Sequence, residues 1–206
     1  NKKLTKILYN KKSISKKYFK IKKNNKIILY APTWRLNQNK FPIEYLSNFD
    51  WEKFNYFLIK KNYFFLINLH PYSNFKLQKN LSRIKIIKKS ELFEINQLLP
   101  EIDILITDYS AIATDFAILK KKIIYVIPDY KKYKKINGFF VDIKKLNAGL
   151  IAKDAKSLIK LIELKSKINN LKIQNYLKFY YDTKITNSNE KIYKFLKNEI
   201  YNTLSC

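Results

Sequence analysis

Histidine, cysteine and arginine are scarce in this sequence. There is one histidine and one cysteine, and only Arg35 and Arg83 carry a guanidinium. Where these fall is therefore informative. His70 ends an apolar run, directly before Pro71. An imidazole there can donate to a phosphate oxygen or serve as a general acid; the plainer reading is a strand-end histidine bonded to backbone. Arg35 closes Pro32-Thr33-Trp34-Arg35, just after another apolar run. Its fork can grip a phosphate with two parallel donors, or form a surface ion pair. Thr107-Asp108-Tyr109-Ser110 leads from an apolar run into a helical pattern. Ser110 then falls near a helix N-terminus, where free N–H groups and the dipole favour an anion. That dipole is worth about 0.3–1 kcal/mol when exposed. The plainer reading makes Ser110 an N-cap and Asp108 a turn residue. Asp108 and Asp115 show no ligand spacing, so no metal is expected. Without a Gly-rich loop, neither a Walker nor a dinucleotide fingerprint is present.

The elements that must hold these residues are legible as short apolar runs. Ile27–Tyr30, Tyr63–Leu69, Arg83–Ile87, Asp103–Ile106 and Ile123–Ile127 read as five strands. Asp50 caps a helix running to about Lys61, and Glu91–Leu98 and Ser110–Leu119 read as helices. Residues 128–149 read as a long loop with Gly138 and Gly149, and three helices are expected over 154–166, 168–180 and 187–203. Strands apolar throughout, alternating with helices, indicate an α/β fold with a Rossmann-like parallel sheet covered on both faces. Ligands of such sheets sit beyond the C-terminal strand ends. That rule selects Thr33, Arg35, His70, Thr107, Asp108, Ser110 and Asp129.

The net charge of +26 invites a nucleic-acid partner. Against this, the basic excess is nearly all Lys, whereas readers of phosphate and base edges lean on the Arg fork. Lys, Asn, Ile, Tyr and Phe are overused together while Gly and Pro are scarce, which is the mark of A+T-rich codons. No nucleic-acid partner is expected, but the basic surface suits anionic lipid headgroups at about 1 kcal/mol per well-placed Lys. Cys206 alone makes no disulfide or metal cluster. No run of about 18 apolar residues is present. The chain starts at Asn1 and has no Met, which reads as a fragment of something longer.

Four segments, in order, resemble the CDP-glycerol glycerophosphotransferase family of teichoic acid and capsule synthesis. They are Ile28-Leu29-Tyr30-Ala31-Pro32-Thr33-Trp34-Arg35; His70-Pro71; Asp103-Ile104-Leu105-Ile106-Thr107-Asp108-Tyr109-Ser110 with Asp115-Phe116; and Pro128-Asp129 with Tyr133, Gly138-Phe139, Asp142 and Gly149. A weaker echo lies at 182–192. Two positions depart from the family pattern: Ala111 where a second Ser is common, and Asn68 where a basic residue often precedes the His-Pro pair.

The resemblance implies a GT-B enzyme of two facing Rossmann-like domains, with this chain as the C-terminal, donor-binding half. Residues 1–25 would lead in from a missing N-terminal domain, 26–165 would bind the donor, and 166–206 would pack on the sheet or the missing domain. Arg35, Thr107 and Ser110 would contact the donor diphosphate, with His70 as the catalytic candidate. Thr33, Asp108, Asp129 and Gly138 would line the donor site, and the catalytic base would sit in the missing half. The implied reaction is attack by an acceptor hydroxyl on the β-phosphate of a CDP-linked polyol, releasing CMP, without a cofactor. The implied acceptor is a cell-surface polymer or its lipid-linked precursor, at the cytoplasmic face of the membrane, with peripheral contact to anionic lipid. The rivals are a GT-B glycosyltransferase, a UDP-sugar epimerase-like enzyme, and a non-catalytic basic remnant that binds polyanions.

Overall fold

The computed structural model describes residues 13–35, 41–70, 73, 77, 81–87, 94–164, 170–181, 190 and 192–197. Six strands form one parallel sheet: β1 (Lys26–Ala31), β2 (Tyr63–Ile67), β3 (Ile84–Ile86), β4 (Ile104–Thr107), β5 (Lys122–Val126) and β6 (Leu150–Ala152). Their order is β3-β2-β1-β4-β5-β6, the doubly wound arrangement. The chain starts at the centre, winds out to one edge, then returns to wind the other way. The direction reverses between β1 and β4, and there Ala31 lies opposite Thr107 at the C-terminal ends.

Alternation within each strand divides the core. On one face Ile27, Leu29, Leu66, Leu105, Ile123 and Tyr125 pack together. On the other lie Ile28, Tyr30, Phe65, Ile67, Ile106 and Ile124. Both faces of the central strands β1, β2, β4 and β5 are covered, so these four read as almost continuous apolar runs. Ile28, Leu29 and Tyr30 are fully buried, and burial of each such side chain stabilises the fold by roughly 1.5–3 kcal/mol.

The first face is covered by α1 (Ile14–Phe19), α3 (Ile95–Leu98), α4 (Ile112–Ala117) and α7 (Asn170–Tyr180), whose Ile14, Leu98, Phe116 and Ile173 join its core. The second is covered by α2 (Trp51–Lys60) and α6 (Ala155–Glu163) through Phe54, Leu58, Leu158 and Ile162. Asp50 caps α2 by accepting from the Lys53 N–H at 2.8 Å, and Asp154 caps α6 through Ser157 at 2.6 Å. Phe19 and Ile21 are buried in the first-face core together with Ile14.

The sequence reading of this region needs two corrections. The 128–149 stretch contains a helix, α5 (Tyr130–Asn137), and is followed by a sixth strand, β6. The helix after β4 is also shorter than Ser110–Leu119, with Ala111 at its N-cap. Of the helix expected over 187–203, residues 190 and 192–197 are helical and the rest lies outside the described residues.

Gly149 allows β6 to join the sheet. A Cβ at this position would overlap the Ile123 carbonyl of β5, so only glycine permits the close approach.

Candidate functional site

The sheet reverses winding between β1 and β4, so their following loops flank a natural crevice. The two loops are joined through Asp108. Its Oδ1 accepts from the Thr33 N–H at 2.8 Å, the Thr33 hydroxyl at 2.7 Å and the Tyr109 N–H at 2.6 Å. Its Oδ2 accepts from Arg35 Nη1 at 2.6 Å. Four donors on two oxygens suit a carboxylate, which is an acceptor only. Burial pushes the Asp108 carboxyl above the ordinary value, while Arg35 and the Thr33 donors pull it back.

Arg35 ties in a third loop, the one after β5. Its Nε and Nη2 donate to the two oxygens of Asp129 at 2.6 and 3.2 Å, and Nη1 also donates to the Thr33 carbonyl at 2.8 Å. Burial works against the guanidinium charge, but Asp108 and Asp129 outweigh it and raise the Arg35 pKa. The Tyr109 and Tyr133 rings each lie 5.4 Å from the guanidinium carbon. They stack on one another at 3.9 Å, and the Tyr109 hydroxyl donates to Asp129 at 3.1 Å. Burial and the neighbouring Asp129 both raise the Tyr109 pKa.

Two cavities flank this cluster. The larger, about 580 Å³, is lined by Thr33, Trp34, Asn68, His70, Asn96 and Ser110 among others. The smaller, about 200 Å³, lies behind Tyr109 and Ser110 and is lined by Asp108, Thr114, Tyr125, Phe139 and Tyr176 among others. Ser110 borders both. Its hydroxyl makes no hydrogen bond among the described residues, so it is available to a ligand. His70 is exposed in the larger cavity, its ring 5.8 Å from that of Trp34.

The predicted residues thus separate. Thr33, His70 and Ser110 line the large crevice, and Asp108 lines the small pocket. Arg35, Thr107, Asp129 and Gly138 line neither. Thr107 is fully buried, and its hydroxyl donates to the Ala31 carbonyl at 2.7 Å, so its side chain braces β4 against β1. The Arg35 side chain is 7% exposed and spans two carboxylates, so its fork joins the loops. Gly138 ends α5 with φ +69° and ψ −178°, a backbone conformation essentially restricted to glycine. Ser110 precedes the Ala111 N-cap, and α4 has only six residues. Pro71 lies outside the described residues. Among the described residues no group of three His, Cys, Asp or Glu is placed to hold a metal.

The sequence reading gave Trp34 and Tyr109 no role of their own, although both stand inside quoted segments. Asn96 and Ile95 line the crevice without any sequence signal.

Residues 3–198 match the family described as CDP-Glycerol:Poly(glycerophosphate) glycerophosphotransferase. This chain belongs to that family. Among its relatives, the teichoic acid poly(glycerol phosphate) polymerase of Bacillus spizizenii is 33% identical over 174 residues, covering 79% of this chain and 41% of the polymerase. The teichoic acid poly(ribitol-phosphate) polymerase of the same organism is 30% identical over 180 residues, covering 82% and 27% respectively. A solved structure of the wall teichoic acid polymerase TagF shares the fold with a TM-score of 0.64 at 22% identity, over 98% of this chain and 50% of TagF. This family member therefore spans half or less of the length of these relatives. Two of them name different polyols at nearly equal identity.

Proposed function

We propose that this chain forms the donor-binding part of a transferase. The enzyme moves glycerol phosphate, or another polyol phosphate, from a CDP-linked donor to a hydroxyl of a cell-surface polymer or its lipid-linked precursor. One observation carries the reading. In a member of this family, the Ser110 hydroxyl and the His70 ring both line a crevice of about 580 Å³ at the switch point of a doubly wound sheet. Cavities of about 300–1,000 Å³ at such positions are where small ligands bind.

In the proposed reaction the acceptor oxygen bonds to the β-phosphorus. The bond from that phosphorus to the bridging oxygen breaks, and CMP leaves with the electron pair. This chain contributes positioning and charge stabilisation. Ser110 donates to a diphosphate oxygen, and His70 donates to the phosphate or to the departing CMP. Each hydrogen bond to a charged phosphate is worth about 1.5–3 kcal/mol net. Arg35, Asp108 and Asp129 act indirectly by holding three loops in register. Their two carboxylates outnumber the one guanidinium, so an anion is better placed against Ser110 than against Arg35. Acceptor deprotonation is assigned to the part of the relatives that this chain does not span.

The proposal places the protein peripherally at the cytoplasmic face of the membrane. The net charge of +26 supports this.

The test is calorimetric titration with CDP-glycerol, CDP-ribitol, CMP and a UDP-sugar. Saturable binding of a CDP-polyol, weakened by Ser110→Ala and His70→Ala, is expected. Preference for the UDP-sugar would replace this reading with a glycosyltransferase or epimerase.

A further inference from the structure

The helix α5 has the sequence Tyr-Lys-Lys-Tyr-Lys-Lys-Ile-Asn and buries no residue fully. At about 100° per residue, Lys131, Lys135, Lys132 and Ile136 share its outer arc, opposite Tyr130 and Tyr133. These tyrosines face inward, where each stacks with Phe139, at 5.5 and 5.7 Å. The outer surface carries unusual apolar exposure: Ile136 is 67% exposed, and Phe140, two residues past the Gly138 stop, is 96% exposed.

The charges around this lip are unbalanced. Asp142 is taken by Tyr130 and Lys134, and Asp129 by Arg35 and Tyr109. Lys144 sits over the Tyr130 ring at 3.9 Å. Lys131, Lys132, Lys135 and Lys145 are exposed and have no carboxylate partner among the described residues. Among the described residues, a large aromatic ring and an isoleucine thus stand exposed beside four ammonium groups that pair with no carboxylate.

We propose that α5 and the turn through Lys145 form a docking lip for the surface of an anionic lipid bilayer. The chemistry selects this occupant. Ammonium groups meet anionic headgroups, while Phe140 and Ile136 enter the headgroup–acyl boundary. A soluble polyanion would satisfy the lysines and leave both apolar side chains in water. Docking also has a geometric consequence, which rests on the transferase reading. Tyr133 of α5 stacks on Tyr109, the neighbour of Ser110, so the bilayer would lie beside the crevice where a lipid-linked acceptor is needed. The docking itself does not depend on that reading.

Vesicle sedimentation of the 206-residue chain tests the lip, using phosphatidylcholine vesicles with and without phosphatidylglycerol. Binding is expected only with the anionic lipid. Ile136→Ser with Phe140→Ser should weaken it at least about tenfold. Lys131→Gln, Lys132→Gln and Lys135→Gln together should weaken it by about fivefold per lysine. Neutralising Lys22, Lys23 and Lys153 removes equal charge elsewhere and should have little effect. The lip is overturned if the apolar double variant binds as the parent does, or if the distant triple variant loses as much as the local one. Both outcomes are read with circular dichroism unchanged. CDP-polyol calorimetry on the lip variants should match the parent, so loss of docking and failure of the donor site remain separate results.

Discussion

Arg35 Nε lies 2.6 Å from Asp129 Oδ2, a contact between residues 94 positions apart. It joins the loop after β1 to the loop after β5, while Nη1 of the same side chain holds Asp108 after β4 at 2.6 Å. Arg35 and Asp108 are 7% and 1% exposed in their side chains. Removing Arg35 leaves two carboxylates together, one of them fully enclosed. Breaking a buried pair on one side costs about 3–5 kcal/mol. Arg35→Ala should lower the unfolding free energy by that amount in urea denaturation. Arg35→Lys should recover only part of it, since a point charge cannot fork between Asp108 and Asp129. A loss below about 1 kcal/mol, typical of exposed pairs, would show that the cluster does not hold the loops.

Ser110 and Thr107 are three residues apart and should respond in opposite ways. The Ser110 hydroxyl borders both cavities, so Ser110→Ala should change stability by less than about 0.5 kcal/mol. It should weaken CDP-polyol binding about tenfold or more. Thr107 instead donates to the Ala31 carbonyl inside the sheet. Thr107→Val leaves that acceptor unpaired at a cost of about 1–3 kcal/mol, with donor affinity retained in the folded protein. Parallel calorimetry and denaturation of both variants check the contrast. Equal loss of affinity in both would remove the distinction between brace and ligand.

The legible and illegible parts of this fold differ for physical reasons. β1, β2, β4 and β5 are covered on both faces, so their apolar runs are visible in the sequence. β6 is three residues long and begins at Leu150, which is exposed at the sheet edge, so no buried run marks it. α5 buries nothing fully, which removes the apolar stripe that reveals a helix. The strand-end rule located Thr33, His70 and Ser110 because topology alone puts them at the crevice. It cannot tell which way a strand-end side chain turns, and Thr107 turns inward. Nor does rarity reveal a partner: the two carboxylates of Arg35 are brought to it by loops 73 and 94 residues away.

The two glycines should fail by different routes. At Gly149 a Cβ meets the backbone of Ile123, which cannot move without opening the β5–β6 pairing. Gly149→Ala should destabilise by about 1–3 kcal/mol through overpacking. Hydrogen exchange should rise first in β6. At Gly138 there is open space, but φ is +69°. Gly138→Ala should cost about 1–3 kcal/mol as backbone strain, with faster exchange confined to the end of α5. Exchange maps of the two variants distinguish packing from strain. The same map for both would refute the assignment.

Asp142 gives a prediction in the acid range. Its carboxyl accepts from the Tyr130 hydroxyl at 2.5 Å, the Lys144 N–H at 2.9 Å and the Lys134 ammonium at 3.2 Å. These donors, the Tyr130 hydroxyl foremost, pull its pKa down to about 2, against an ordinary value of about 3.9. A carboxyl lowered in the folded state stabilises fully above its unfolded pKa and loses that contribution as pH falls through its folded one. Tyr130→Phe removes the strongest donor and returns Asp142 toward the ordinary value. The stability gap between parent and variant should therefore be constant above about pH 5, narrow below about pH 4, and nearly close by about pH 2. Urea denaturation across that range, with an NMR titration of the Asp142 carboxyl, measures both sides of the linkage. A gap of the same size at every pH would show that the tyrosine contributes by packing against Phe139, and not by favouring the carboxylate.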